Sequence, residues 1–279
     1  KGVAGMLCRR VSLDELHPAL GGGAPETGLD IYCRGRTGLL ADDGARWAVL
    51  ILPGGGYERI APAEGEPVAL AFLAAGIQAF VLDYSVAPVR YPAALMELAA
   101  SVAWVRDHAL EYGVAPDRVA VCGFSAGGHL AGCAANLWGH PVLAPLGLAP
   151  EWMRPDACVL CYPVITAQPP YGSTMSFQNL LGEGVLVPSQ LSLESAVTGD
   201  TPPTFLWATV GDNTVPVENT MLYATALRRA GVPFELHLYG DGPHAMGLAT
   251  AESVWRPDYV NPHAATWHGL CVEWMKGLK

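Results

Sequence analysis

The segment Val119-Ala120-Val121-Cys122-Gly123-Phe124-Ser125-Ala126-Gly127-Gly128-His129 constrains this chain more than any other. An apolar, strand-like run ends at glycine, a serine stands between Gly123 and Gly127, and residues 126–138 continue as an Ala/Gly/Leu helix. Gly123, Gly127 and Gly128 lack a Cβ, so the backbone can turn tightly and pack closely there. Gly-x-Ser-x-Gly between a strand and a helix puts the serine on a strained elbow. The hydroxyl then points out of the sheet, with the Ala126 N–H beside it at the helix start. In a chain with 32 glycines the pentapeptide alone also reads as a plain glycine turn, and it is the flanking strand and helix patterns that separate the two. A serine hydroxyl is a weak nucleophile unless a base takes its proton and an oxyanion hole receives the charge. Both must come from elsewhere in the chain.

The pattern around the elbow repeats. Residues 6–13 and 28–33 read as a first pair of strands joined by a Gly/Pro-rich turn at 21–25. Residues 46–52 form a continuous apolar run, as expected for a strand covered on both faces. Further strands are expected at 77–82, 118–122, 157–162, 204–210 and 233–239. Helical periodicity or helix punctuation marks 64–75, 92–113, 126–138, 216–230 and 261–277, with Gly76, Gly113 and Gly231 as stops. Strands alternating with helices imply a mostly parallel sheet of about eight strands with right-handed crossovers and helices on both faces. Residues 166–200 break this rhythm with Pro, Gly, Ser and Gln, which predicts a small lid or binding insertion. There is no internal repeat and no linker, so residues 1–279 read as one domain.

Composition narrows the partners. Of 279 residues, 51% are hydrophobic and 15% charged, which supports a large core and argues against disorder. The formal charge of −10, without a basic cluster, argues against nucleic acid and anionic membrane as partners. No apolar run reaches the roughly 18 residues a membrane span needs. No secretory signal is visible, although the chain begins at Lys1 and a removed leader stays open. Seven scattered cysteines, mostly in apolar patterns, read as buried free thiols in a reducing, cytoplasmic compartment. Cys158-x-x-Cys161 has the spacing of a metal or redox pair, but on a strand residues three apart face opposite ways.

Ligands of such sheets bind at the carboxyl ends of the strands. Pro53-Gly54-Gly55-Gly56-Tyr57 follows the strand at 46–52, and its glycines can turn N–H groups toward one point. A phosphate cradle is the competing reading, but no Lys-Ser/Thr follows, so a P-loop fails. Asp212 follows the strand at 204–210, and His244 follows the last strand. Taken singly, Asp212 reads as a turn residue and His244 as a surface histidine. Together, Ser125, Asp212 and His244 stand in the order expected of a nucleophile, acid and base on such a sheet. Asp241 is the rival acid, three residues from His244 in the same short loop. His129, one helical turn after Ser125, is expected to be packed and hydrogen-bonded. The other histidines show no ligand spacing, so no metal is expected.

The motifs Gly-Phe-Ser-Ala-Gly-Gly-His-Leu-Ala-Gly, Pro-Gly-Gly-Gly-Tyr, Asp-Tyr-Ser-Val-Ala-Pro and Gly-Pro-His-Ala-Met-Gly-Leu resemble the esterase/lipase branch of the α/β-hydrolase superfamily. They are most similar to its small bacterial acetylesterases, a group that includes acetylxylan esterases and feruloyl-esterase-like proteins. The similarity runs over nearly the whole chain. It implies an α/β-hydrolase fold with Ser125 as nucleophile, Asp212 as acid and His244 as base. It also implies oxyanion donors at the N–H groups of Gly55, Gly56 and Ala126, with Tyr57 contacting substrate. Two departures stand out. Pro53 occupies a position where hormone-sensitive-lipase relatives carry histidine, and Ala208 one where similar sequences often do. The expected activity is hydrolysis of short-chain, chiefly acetyl, esters of a carbohydrate such as acetylated xylan oligosaccharides, without a cofactor. An aryl-formamidase or amidase, a prolyl-type peptidase and a non-catalytic ligand binder remain as alternatives; the peptidase fits less well for want of an accessory propeller region. The expected partner is a small-molecule or oligosaccharide ester, and a homodimer is left open.

Overall fold

The computed structural model describes residues 5–21, 24, 26–35 and 44–278, so part of the expected turn at 21–25 lies outside the described residues. Eight strands form one sheet: β1 Met6–Val11, β2 Gly28–Arg34, β3 Arg46–Leu52, β4 Gln78–Asp83, β5 Val114–Phe124, β6 Ala157–Cys161, β7 Thr204–Thr209 and β8 Phe234–Tyr239. Their spatial order is β1-β2-β4-β3-β5-β6-β7-β8. The β1–β2 and β2–β4 pairs are antiparallel. Every pairing from β4 through β3 to β8 is parallel. The helices are α1 Leu13–Leu16, α2 Glu66–Ala74, α3 Ala93–Asp107, α4 Ala109–Tyr112, α5 Ala126–Leu137, α6 Pro150–Met153, α7 Thr174–Leu181, α8 Glu218–Ala230 and α9 Thr266–Gly277.

The period-2 alternation of the strands separates two cores. In β3, Ala48, Leu50 and Leu52 join one cluster with Leu98 and Val102 of α3, Leu130 of α5 and Leu227 of α8. Trp47, Val49 and Ile51 join the other with Phe72 of α2 and Trp267, Cys271 and Met275 of α9. Helices therefore cover both faces, and the central strands β3 and β6 are buried along their whole length because neither side meets water. The same alternation sends Cys158 into the first cluster and Cys161 into the second, so the two thiols lie on opposite faces of the sheet. All seven cysteines are free thiols.

Several boundaries differ from those expected. β1 stops at Val11 because Ser12 and Glu15 form a capping box that starts α1. The helix expected over 92–113 breaks at His108 into α3 and α4 before Gly113 ends it in a left-handed conformation. α9 begins at Thr266 rather than 261, since Asn261 Oδ1 takes the N–H groups of His263 and Ala264 in a turn that precedes the helix. Residues 166–200 hold α7 and two 3-10 turns. Phe177, Leu180, Leu191 and Leu193 of this stretch are buried in the first cluster, so its underside is part of the core.

Candidate active site

β5 delivers Ser125 to the carboxyl edge of the sheet. Ser125 adopts φ 54° and ψ −118°, outside the usual range of a residue with a side chain. Such a conformation costs on the order of 1–3 kcal/mol and persists only where the surroundings impose it. Here they do. Ser125 N–H donates to the Cys161 carbonyl at 3.0 Å, and the Ser125 carbonyl accepts from Val164 and His129 N–H groups. The neighbouring glycines have no room for a side chain. A Cβ on Gly123 would meet the Gly127 carbonyl oxygen at 2.1 Å, and one on Gly127 would meet the Leu52 carbonyl oxygen at 2.1 Å.

The loops after β7 and β8 bring two more side chains to that hydroxyl. His244 Nε2 lies 2.7 Å from Ser125 Oγ, and His244 Nδ1 lies 2.6 Å from Asp212 Oδ2. Asp212 Oδ1 accepts the N–H groups of Thr214 and Val215 at 2.8 and 2.9 Å, which locks the carboxylate in place. The Asp212 side chain is 1% exposed and that of His244 13%, so the pair is shielded while the imidazole edge stays reachable. With Asp212 on Nδ1, that nitrogen carries the proton and Nε2 faces the serine as acceptor. Asp241 does not join this chain: it is exposed, and its carbonyl receives Asn261 Nδ2.

The loop after β3 approaches Ser125 from the other side. Gly54 sits so close that a Cβ there would meet Ser125 Cβ at 3.0 Å. Gly55 and Gly56 both have positive φ, 126° and 66°. Among the described residues no acceptor takes their N–H groups. Ala126 is the first residue of α5, where an N–H has no partner inside the helix. Gly55, Gly56 and Ala126 therefore present free backbone donors in the two segments that flank Ser125. α7 packs on this loop, with Asn179 Nδ2 donating to the Gly56 carbonyl at 3.0 Å.

Tyr57, expected to contact substrate, is turned inward. It is 2% exposed. Its hydroxyl pairs with His129 Nδ1 at 2.9 Å. Tyr57 has a left-handed backbone (φ 57°), and its ring packs edge-on against Tyr84 and His129. Tyr57 packs in the core beneath the loop. His129 is the packed residue expected, with Nε2 on the Leu191 carbonyl at 2.8 Å and its pKa lowered to about 4 by burial.

Three residues near the site had not stood out in the sequence. Glu64, in the turn before α2, accepts Gly54 N–H at 2.7 Å. Tyr162, directly after β6, places its ring edge-on to His244 with centroids 5.0 Å apart. Trp255 is 61% exposed and is held by an Nε1–H bond to the Ala245 carbonyl. Together with Arg59, Asn213, Asp241, His244 and Asn261 it lines an open groove of about 730 Å³. The only signal for Glu64 was a charged residue inside a Pro/Gly-rich turn. Among the described residues, no group of three or more His, Cys, Asp or Glu is arranged to hold a metal ion.

Residues 49–248 match the model of a family described by the alpha/beta hydrolase fold. The chain is 35% identical over 224 residues to endo-1,4-beta-xylanase B of Butyrivibrio fibrisolvens, covering 76% of this chain and 34% of that protein. It is 31% identical over 210 residues to an acetylxylan esterase of Xylanibacter ruminicola, covering 73% of this chain and 42% of that protein. The chain thus spans well under half the length of these two curated relatives. Among solved structures, an acetyl ester-xyloside bifunctional hydrolase from Caldicellulosiruptor lactoaceticus superposes with a TM-score of 0.81 at 34% identity, covering 99% of this chain and 98% of that one. A carboxylesterase from Lactobacillus plantarum superposes with a TM-score of 0.79 at 26% identity, covering 97% and 96%.

Proposed function

The chain belongs to the alpha/beta hydrolase family, and from that premise we propose that it is a serine carboxylesterase acting on short-chain, chiefly acetyl, esters of a carbohydrate alcohol. The observation that carries this reading is the unbroken contact chain Asp212–His244–Ser125, with distances of 2.6 and 2.7 Å. His244 Nε2 takes the Ser125 proton as Oγ attacks the ester carbonyl. Asp212 holds the imidazole in the required tautomer and stabilises the cation that forms. The developing oxyanion faces the N–H groups of Gly55, Gly56 and Ala126. His244 then returns the proton to the departing alcohol. Water, activated by the same imidazole, releases the acid.

The groove beside His244 and the loop beneath α7 bear on the substrate class. The departing alcohol must sit on the His244 side, where the groove is lined by the exposed Trp255 and by Asn213, Asp241 and Asn261. An exposed aromatic face among amide and carboxylate groups suits a polyhydroxylated ring, which offers apolar C–H faces and hydroxyl edges. The relatives named for xylan and its acetyl esters agree with that choice. On the other side, α7 closes on the oxyanion loop: Met175 Cε would lie 2.9 Å from a Cβ on Gly56. Such limited space favours a small acyl group.

The test is hydrolysis of p-nitrophenyl acetate by wild type and Ser125→Ala, alongside acetylated xylo-oligosaccharides, longer aryl esters and N-formylkynurenine. We expect Ser125→Ala to lose at least about 10³-fold in kcat, with the acetylated oligosaccharide the best of the substrates by kcat/KM. Equal rates in both proteins would overturn the esterase reading and favour a non-catalytic binder. Preference for N-formylkynurenine would move the assignment to an aryl-formamidase.

A further inference from the structure

Beneath the proposed proton chain lies a second buried acid that takes no part in it. Glu64 is 1% exposed, and both of its carboxyl oxygens are occupied. Oε2 accepts Gly54 N–H at 2.7 Å, and Oε1 accepts the Tyr162 hydroxyl at 2.6 Å. The Tyr162 oxygen in turn accepts Gly247 N–H at 2.9 Å. Gly247 can only donate, so the single phenolic proton points at Glu64. A neutral carboxyl would bring one proton more than this set accepts: on Oε1 it displaces the phenolic proton, and on Oε2 it finds no acceptor among these partners. The arrangement therefore describes a carboxylate.

The two ties reach two different loops. Gly54 opens the oxyanion loop and lies against Ser125. Gly247 lies in the loop that carries His244, and the Tyr162 ring that links it to Glu64 stands edge-on to the imidazole at 5.0 Å. The loops belong to distant parts of the sequence, and each must be placed to a fraction of an ångström for acyl transfer. We propose that Glu64 is a positioning residue that sets the oxyanion loop and the His244 loop in one frame around Ser125, and that its buried negative charge stabilises the His244 cation formed during attack. This rests on the serine-hydrolase reading above.

The groups facing Glu64 are consistent with that role. Tyr84 after β4 and Tyr162 after β6 are held neutral by burial. His244 after β8 is the one facing group that becomes cationic. Burial raises the Glu64 pKa, whereas the bonds from Tyr162 and Gly54 and the facing His244 oppose that rise. A carboxylate retained in this setting stabilises a nearby cation more than an exposed one would, because water screens it less.

The experiment measures kcat, KM and the pH profile of kcat/KM on p-nitrophenyl acetate for wild type, Ser125→Ala, Glu64→Gln, Glu64→Asp and Tyr162→Phe, with a thermal melt of each. Glu64→Gln is expected to lower kcat roughly 10- to 100-fold, with KM within about threefold. Its acid limb should move to lower pH, because the imidazolium loses a facing anion. Glu64→Asp restores the acid limb but not kcat, since it keeps the charge and loses the reach. Tyr162→Phe, which keeps the ring and removes both hydrogen bonds, lowers kcat in the same direction. Wild-type kcat and acid limb in Glu64→Gln, with only a lower melting temperature, would overturn the proposal. If Glu64→Gln does not fold, wild-type values in Tyr162→Phe overturn it instead. A Ser125→Ala protein as active as wild type would sink the underlying esterase reading, an outcome read independently of the Glu64 variants.

Discussion

At the scale of single residues, the site is a set of side chains whose hydrogen bonds leave little freedom. Asp212 uses one oxygen on Thr214 and Val215 N–H groups and the other on His244. All three are charge-assisted bonds, about twice as strong as neutral ones. Asp241 sits in the same loop as His244 yet is turned to solvent. We therefore expect Asp212→Asn to cost on the order of 10³–10⁴ in kcat on p-nitrophenyl acetate, and Asp241→Asn less than about threefold. The reverse ranking would assign the acid to Asp241. The loop position of Asp212 and its order after Ser125 were legible in the sequence. The inward turn of Tyr57 was not: its positive φ follows from the turn geometry of the loop and from the buried partner His129, neither of which a local pattern records.

At the scale of elements, the β5–α5 elbow is held by close backbone approach. Gly127 packs onto the end of β3, where an added Cβ would meet both the Leu52 and Pro53 carbonyl oxygens, at 2.1 and 2.5 Å. Backbone at the centre of a sheet cannot shift to relieve such contacts without breaking the ladder between β3 and β5. Gly127→Ala should therefore destabilise by at least about 3 kcal/mol, at the upper end of overpacking costs, or prevent folding. Urea unfolding of the purified variant checks this; wild-type stability would mean that the elbow is looser than the structure shows. The insertion at 166–200 makes the contrasting point. Its loop-like composition was readable, but its anchoring was not, because Phe177 and Leu180 of α7 and Leu191 and Leu193 of two 3-10 turns sit in short segments with no shared periodicity. They share one core cluster only because the fold brings them to one face.

At the scale of the whole molecule, burial of neutral imidazole links stability to pH. His129 is fully buried, and its pKa is lowered from 6.5 to about 4 by burial. Half-buried His268 is likewise lowered to about 4. A folded pKa below the unfolded one means that the unfolded chain binds the proton first. The stability contribution is thus complete above about pH 6.5 and is lost as pH falls toward 4. For His129 the full effect is roughly 3 kcal/mol. Glu64 and Glu97, raised by burial, act in the opposite sense and soften the total. Urea unfolding from pH 7.5 to 4.5 should show falling stability, and His129→Gln should reduce the slope by about one proton in that window. An unchanged slope would place the acid sensitivity elsewhere.

The alternation of fully apolar strands with amphipathic helices determined a mostly parallel sheet covered on both faces, because no other arrangement buries both sides of such strands. The Gly-x-Ser-x-Gly elbow and the loops after β7 and β8 marked where Ser125, Asp212 and His244 meet, since strand ends in this topology converge on one edge. Those are local signals, carried by residues adjacent in the chain. Tertiary structure alone decided that Glu64 and Tyr162 tie the Gly54 loop to the His244 loop. It alone also decided that Tyr57 points inward and that Trp255 stands exposed at the groove beside His244. Each depends on contacts between segments far apart in sequence, and the energy of such contacts exists only once the sheet has brought the segments together.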